Sequence, residues 1–281
     1  DAGVAELAQV GPQLVRRADA TGATAEELRA DLVAHRLEHL PDVRPARLVA
    51  TEAVMVAEGE LEEAEAVRAA AALLSEEERR KAGRFAFDRD RRRFVVARAG
   101  LRELLAARLG IRPESVELMD GPHGKPALAR EFCRGDLRFN ISHSEDVAVY
   151  AFARGREIGV DVEAVRVLPD GDDIAARFFS VRENETYRGL DARDKPLGFF
   201  NCWTRKEAFI KALGDGLYHP LDSFDVALAP GEPAQILRTG NIAGDRCGWQ
   251  LFSFTPLPGC IGAVVIENPR ESGFRCGFSD E

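Results

Sequence analysis

The six residues Ile158-Gly159-Val160-Asp161-Val162-Glu163 constrain the fold of this chain more than any other stretch. In a β-strand side chains alternate between faces with period 2, so Asp161 and Glu163 project from one face while Val160 and Val162 point to the other. Two carboxylates side by side repel each other. A cation between them relieves the repulsion, and hard divalent ions such as Mg²⁺ take one or two carboxylates together with waters and phosphate oxygens. An edge strand with a solvated acidic face carries the same pattern. A third carboxylate, Glu207, favours the cation reading; it lies on a helix in Trp203-Thr204-Arg205-Lys206-Glu207-Ala208-Phe209-Ile210-Lys211. That helix reads from about Pro196 to Leu213, with Gly214 past its end, and sets Glu207 and Lys211 at i, i+4 as in an ordinary helical ion pair.

Composition bounds the rest. A chain of 281 residues that is 45% hydrophobic buries a full core and forms one large domain or two fused smaller ones. Its net charge of -9 argues against a general nucleic-acid binder, so an anionic ligand has to be held by a local basic site. Cys133, Cys202, Cys247, Cys260 and Cys276 are scattered and odd in number, with no paired spacing, which suits reduced thiols in a cytoplasm. No apolar run approaches the length of a membrane span. The chain begins at Asp1, as expected of a piece of something longer. Of 38 basic residues only five are lysines (Lys81, Lys125, Lys195, Lys206 and Lys211), so a lysine here is a departure from the arginine background.

In chain order, residues 1 to about 45 read as two helices, one opened by the capping box Thr24-x-x-Glu27 and closed by Pro41 and Pro45. His35 and His39 stand at i, i+4 with no third ligand nearby and read as surface residues. Arg47 to Val56 reads as a first strand, followed by an acidic, Ala-rich helix or loop. Ser75-x-x-Glu78 caps a short helix ended by Gly83. Arg84 to Arg93 then leads into a long amphipathic helix that runs to Gly110. From Arg79 to Arg93 there are eight cations against two anions, with aromatics between the arginines. A solvated helix face has this composition, and so does a site where guanidinium groups meet phosphate and a flat base. Gly124-Lys125-Pro126 is a turn. Leu137 to Ser144 alternates as a strand, Phe139 and Ile141 on one face, and ends with two serines flanking His143. A nucleophile elbow is missing, so phosphate binding through hydroxyls and imidazole, or a plain strand end, are the readings left. Val147 to Phe152 is a further strand, Ser180-x-x-Glu183 caps another helix, and Trp249 to Phe254 with Cys260 to Ile266 close a second sheet.

Four motifs in this order, Gly124-Lys125-Pro126, Phe139-Asn140-Ile141-Ser142-His143-Ser144, Gly159-Val160-Asp161-Val162-Glu163 and Trp203 to Lys211, resemble the Sfp-type 4′-phosphopantetheinyl transferases. Pro220-Leu221-Asp222-Ser223-Phe224 fits as well, and the likeness covers roughly residues 47 to 268. The resemblance implies an α+β fold: a pseudo-symmetric pair of similar halves over 47–156 and 157–281, with 1–46 a helical N-terminal extension and the active site between the halves. It also implies coenzyme A as substrate and an apo acyl or peptidyl carrier protein as partner, in a monomer or a domain of a larger synthase, without nucleic acid or membrane. Asp161, Glu163 and Glu207 would hold Mg²⁺. Lys125, Ser142, His143 and Lys211 would contact phosphates or the pantetheine arm, Arg84 or Arg89 the adenosine 3′-phosphate, and Glu207, or else Glu163, would take the proton of the attacking serine. A non-catalytic carrier-binding module and another Mg²⁺-dependent enzyme acting on a nucleotide pyrophosphate are the rival readings.

Overall fold

The computed structural model describes residues 43–47, 53–58, 64–121, 125–129, 132, 136–214, 219–240 and 248–268. The expected N-terminal helices through residue 42, with His35 and His39, and the cysteines Cys133, Cys247 and Cys276, lie outside them. Among the described residues neither Cys202 nor Cys260 forms a disulfide.

The chain opens with strands β1 (Val43–Arg47) and β2 (Ala53–Glu58), paired antiparallel. One strand over Arg47 to Val56 was the expectation. β2 takes the second part of that run, while β1 ends at its first residue and pairs with β2, a non-local pairing that alternation alone does not reveal. Pro45 sits inside β1 instead of ending a helix; β1 is the outer strand of its sheet, where a missing N–H is tolerated. Next come α1 (Ala64–Leu73), α2 (Glu76–Ala82) and α3 (Asp88–Leu109). Both halves of the Ser75/Glu78 capping box form, and Gly110 ends α3 at a φ of 70°. The short β3 (Leu118–Asp120) and β4 (Pro126–Leu128) pair, and β5 (Leu137–Ser144) and β6 (Val147–Arg154) follow as a hairpin.

The rest repeats the plan. Strand β7 (Ile158–Ala164) leads to α4 (Gly171–Phe178), α5 (Val181–Arg188) and α6 (Lys195–Leu213), then β8 (Asp225–Val226), β9 (Ile236–Arg238), β10 (Trp249–Phe254) and β11 (Cys260–Glu267). The first sheet has the order β1-β2-β6-β5 and the second β10-β11-β7, each antiparallel throughout. Without β1, the first is a strand, three helices and a hairpin whose last strand takes the centre, and so is the second. The α+β class and the pseudo-symmetric halves expected from the sequence are what the chain adopts.

Alternation along the strands stacks the layers. Tyr150 and Phe152 of β6 turn to one core with Leu101, Leu104 and Leu105 of α3, while Val147, Val149 and Ala151 turn the other way. There they meet Val160 and Val162 of β7 and Val264 and Ile266 of β11. Ala263 and Val265 face a third core with Phe209, Ile210 and Ala212 of α6. The order is helix, sheet, sheet, helix, with the two sheets face to face. One glycine sets the tightest contact. A Cβ at Gly159 would lie 2.1 Å from the Ala208 carbonyl oxygen and 2.3 Å from the Ala212 nitrogen. Without it α6 settles directly on β7, beside Asp161 and Glu163.

Candidate active site at the seam between the sheets

β5 and β7 belong to different sheets, and side chains join them in place of a backbone ladder. Phe139 and Ile141 face the α3 core, as the alternation predicts, so Asn140, Ser142 and Ser144 face β7. Asn140 Oδ1 accepts the Val160 N–H at 2.9 Å. Ser142 Oγ donates to Asp161 Oδ1 at 2.8 Å, and Ser144 Oγ donates to Glu163 Oε2 at 2.9 Å. These three contacts step along both strands in the same sense.

The face of β7 opposite its valines looks at α6, where Glu207 and Lys211 stand one turn apart. Lys211 Nζ donates to Asp161 Oδ1 at 2.6 Å and to Ser142 Oγ at 3.1 Å. The ion pair expected within the helix, Glu207 with Lys211, thus gives way to one between α6 and β7, because Gly159 lets the helix settle with its ammonium beside the Asp161 carboxylate. Asp161 is buried, and its Oδ2 has no hydrogen-bond partner. The Glu207 carboxylate takes no hydrogen bond from a described residue, and Lys211 is the cation that acts on it among the described residues.

Burial raises the carboxyl pKa of Glu163, the Asp161 charge adds to the rise, and the Ser144 hydrogen bond opposes it. Burial likewise raises that of Glu207, with Asp161 and Glu163 pushing the same way and Lys211 opposing. Three carboxylates therefore share one region with a single ammonium among them. Among the described residues no three His, Cys, Asp or Glu side chains close into a group that could by itself hold a metal ion. The donor chemistry nonetheless fits a hard divalent cation: carboxylate oxygens only, one of them buried and unpartnered, and glutamates whose ionisation burial disfavours.

The other expected site residues are spread around this seam. Lys125 Nζ donates to the Lys211 carbonyl at 2.6 Å and to the Ile158 carbonyl at 3.4 Å, so it caps the end of α6 against the start of β7, and burial lowers its pKa. Residues 122–124 beside it are outside the described set. His143 continues the Phe139 and Ile141 face and is exposed at the end of β5; partial desolvation and then the Lys211 charge hold its imidazole below the ordinary histidine value. Arg84 is exposed in the turn before α3, and Arg89 is exposed with a 3.7 Å contact to its neighbour Asp90. The structure gives neither a contact with the carboxylates. Arg91 to Arg93 are not uniformly exposed. Arg91 pairs with Asp88, and Arg93 is largely covered and reaches Asp146 in the β5–β6 turn at 2.9 Å.

Sequence reasoning missed several structural roles. Lys206, singled out as an unusual lysine, is buried and holds Glu183 at 2.8 Å and the Leu221 and Phe224 carbonyls at 2.6 Å each, which explains the Pro220 to Phe224 motif. Arg205 binds the Ala227 carbonyl at 2.6 Å. Trp203 stacks on Phe199 and packs edge-on to Phe178, inside the aromatic core. The one signal for the seam was the polar half of the β5 alternation, Asn140, Ser142 and Ser144.

Comparison with known proteins agrees with this architecture. Residues 157–253 match the model of the 4′-phosphopantetheinyl transferase superfamily, and residues 62–154 that of a 4′-phosphopantetheinyl transferase N-terminal region. The chain is 40% identical over 196 residues to the 4′-phosphopantetheinyl transferase HetI of a Nostoc species, a match covering 70% of this chain and 79% of that protein. It is 33% identical over 155 residues to the 4′-phosphopantetheinyl transferase Sfp of Bacillus subtilis, covering 55% of this chain and 66% of Sfp. It is 33% identical over 162 residues to the human L-aminoadipate-semialdehyde dehydrogenase-phosphopantetheinyl transferase, covering 55% of this chain and 52% of the human one. With both halves matched and the seam built as described, the chain belongs to the 4′-phosphopantetheinyl transferase family of enzymes. No helix among the described residues is long and apolar enough to cross a membrane.

Proposed function

We propose that the protein moves the 4′-phosphopantetheine arm of coenzyme A onto a serine of an acyl or peptidyl carrier protein, in a Mg²⁺-dependent reaction that releases 3′,5′-ADP. The observation that carries the reading is the buried, unpartnered Asp161 Oδ2 beside Glu163 and Glu207 at the seam between the two sheets. Asp161, Glu163 and Glu207 would hold the ion. Bound there, Mg²⁺ supplies positive charge to the pyrophosphate and the departing phosphate.

The chain's own residues do the rest. Lys211, its side chain 29% exposed, has a third ammonium proton for a phosphate oxygen while Asp161 and Ser142 fix its direction. Lys125 uses two of its three protons on backbone carbonyls and has one for the substrate. Ser142 spends its one proton on Asp161 and acts by holding Lys211 and Asp161 beside the phosphates, His143 stands at the same strand end as a further phosphate donor, and Arg84 or Arg89 takes the 3′-phosphate. Such fixed donors stabilise charge that grows on the phosphoryl oxygens as the serine attacks phosphorus. Glu207 is the base that removes the serine proton: Asp161 and Glu163 accept hydrogen bonds from the seam serines, Glu207 accepts none from a described residue, and burial makes it a stronger base than an ordinary glutamate. Glu163 is the second choice. The cytoplasm, where coenzyme A and carrier proteins meet, is the proposed location.

Incubation with coenzyme A, Mg²⁺ and an apo carrier protein tests the proposal by mass spectrometry. The carrier is expected to gain the phosphopantetheine mass as an equal amount of 3′,5′-ADP appears. Binding of carrier without mass gain would instead establish the carrier-binding module.

A further inference from the structure

The β5–β7 seam assigns a job to Ser144. We infer that Ser144 is a positioning residue for Glu163, through which the first half of the molecule orients a carboxylate of the second; the inference rests on the proposal that Glu163 helps to hold a divalent ion. Its Oγ accepts the Ala164 N–H at 3.3 Å and donates to Glu163 Oε2 at 2.9 Å. The first contact fixes the second. With an N–H pointing at its lone pairs, the hydroxyl turns its single proton to the carboxylate.

Ser144 is itself held. It ends β5, where Glu145 adopts a φ of 51° in the turn to β6, and the next residue, Asp146, accepts a 2.9 Å hydrogen bond from Arg93 on α3. A chain of contacts therefore runs from the long helix of the first half through the turn to the Glu163 carboxylate. Glu163 needs such a restraint. It lies at the edge of the seam with its side chain 25% exposed, and the Arg166 guanidinium is 3.8 Å from its Oε2, beyond hydrogen-bond distance. A glutamate left free there has to give up its rotamer freedom each time it engages a ligand. Ser144 removes part of that cost in advance, and by occupying Oε2 it leaves Oε1 as the acceptor for a cation. Ser142 makes the corresponding contact to Asp161, but there Lys211 shares the carboxylate oxygen. Ser144 hydrogen-bonds no cation among the described residues, so its contribution there is orientation.

Ser144→Ala and Ser144→Thr, the second of which keeps the hydroxyl, test the assignment with Mn²⁺ as the probe. Mn²⁺ binding is read by electron paramagnetic resonance in the presence of coenzyme A and without carrier protein, so that no turnover is needed. Loss of an orienting hydrogen bond to a metal-holding carboxylate lowers affinity about 10-fold or more. Ser144→Ala is expected to weaken Mn²⁺ binding by about that factor, to raise the Mg²⁺ concentration for half-maximal transfer in parallel, and to leave the melting temperature and kcat at saturating Mg²⁺ close to wild type. Ser144→Thr is expected to restore most of the affinity. Unchanged Mn²⁺ affinity in Ser144→Ala would overturn the assignment of Ser144 while leaving the carboxylate site intact. So would a rate loss that saturating Mg²⁺ does not recover and that follows a fall in melting temperature. Failure of the underlying reading shows separately and in the wild type alone, as full-rate transfer in the presence of a chelator.

Discussion

Glu163 and Glu207 illustrate how a residue can be costly to the fold and useful at the site. Burial raises both carboxyl pKa values, so the folded chain binds protons more readily than the unfolded one above the ordinary glutamate value near 4.5. By linkage their contribution to stability is full below the unfolded pKa and is lost as pH rises through the folded one. A divalent ion needs the ionised forms, so it offsets this loss where the loss is largest. The rise in melting temperature on adding Mg²⁺ should therefore be greater at pH 8 than at pH 5, by differential scanning calorimetry. An equal rise at both values would dissociate the ion from these carboxylates. The arginines make a separate prediction. If Arg84 or Arg89 holds the 3′-phosphate, changing it to Ala raises KM about 10-fold or more for coenzyme A, the loss of one charge-assisted contact, and much less for dephospho-coenzyme A. Equal increases for both substrates would return the pair to the solvated helix face.

At the scale of elements, the pseudo-symmetry reaches individual side chains. In the first half Ser75 and Glu78 cap α2, and Glu78 accepts a 2.6 Å hydrogen bond from the buried Arg102 on the long helix α3. In the second half Ser180 and Glu183 cap α5, and Glu183 pairs with the buried Lys206 on the long helix α6. Glu183 also accepts the Val226 N–H at 2.7 Å, so one carboxylate ties helix start, helix body and strand together. Removing one partner of such a pair leaves a buried charge unpaired and costs about 3–5 kcal/mol, whereas removing both costs less. Lys206→Met should lose about that much in guanidinium denaturation, and Glu183→Gln with Lys206→Met should be less destabilised than Lys206→Met alone. A double variant as unstable as the two single losses added would show that the pair contributes no charge coupling.

Across the whole molecule, what the sequence made legible was local. Capping boxes at Ser75 and Ser180, terminal glycines at Gly110 and Gly214 and the alternation of β5 and β7 fix short segments by contacts within a few residues, and all formed. Non-local pairings were not legible. The β1–β2 hairpin, the shift of Lys211 from Glu207 to Asp161 and the burial of Lys206 depend on what another part of the chain brings alongside. Ser142 and Ser144 read as phosphate ligands or a strand end because a polar side chain on a strand reads alike whether it meets substrate or a neighbouring strand. The seam joins the two halves and is the proposed place of transfer. The direct measurement is transfer rate against Mg²⁺ concentration for Asp161→Asn and Glu207→Gln, each isosteric and each lacking one charge. Asp161→Asn should be severely slowed and should recover part of its rate as Mg²⁺ is raised. Glu207→Gln should stay slow by about 10²-fold or more at saturating Mg²⁺ and lose the acid limb of its pH profile, as loss of a general base requires. Near-normal transfer by both variants at ordinary Mg²⁺ would contradict the site and the mechanism built on it.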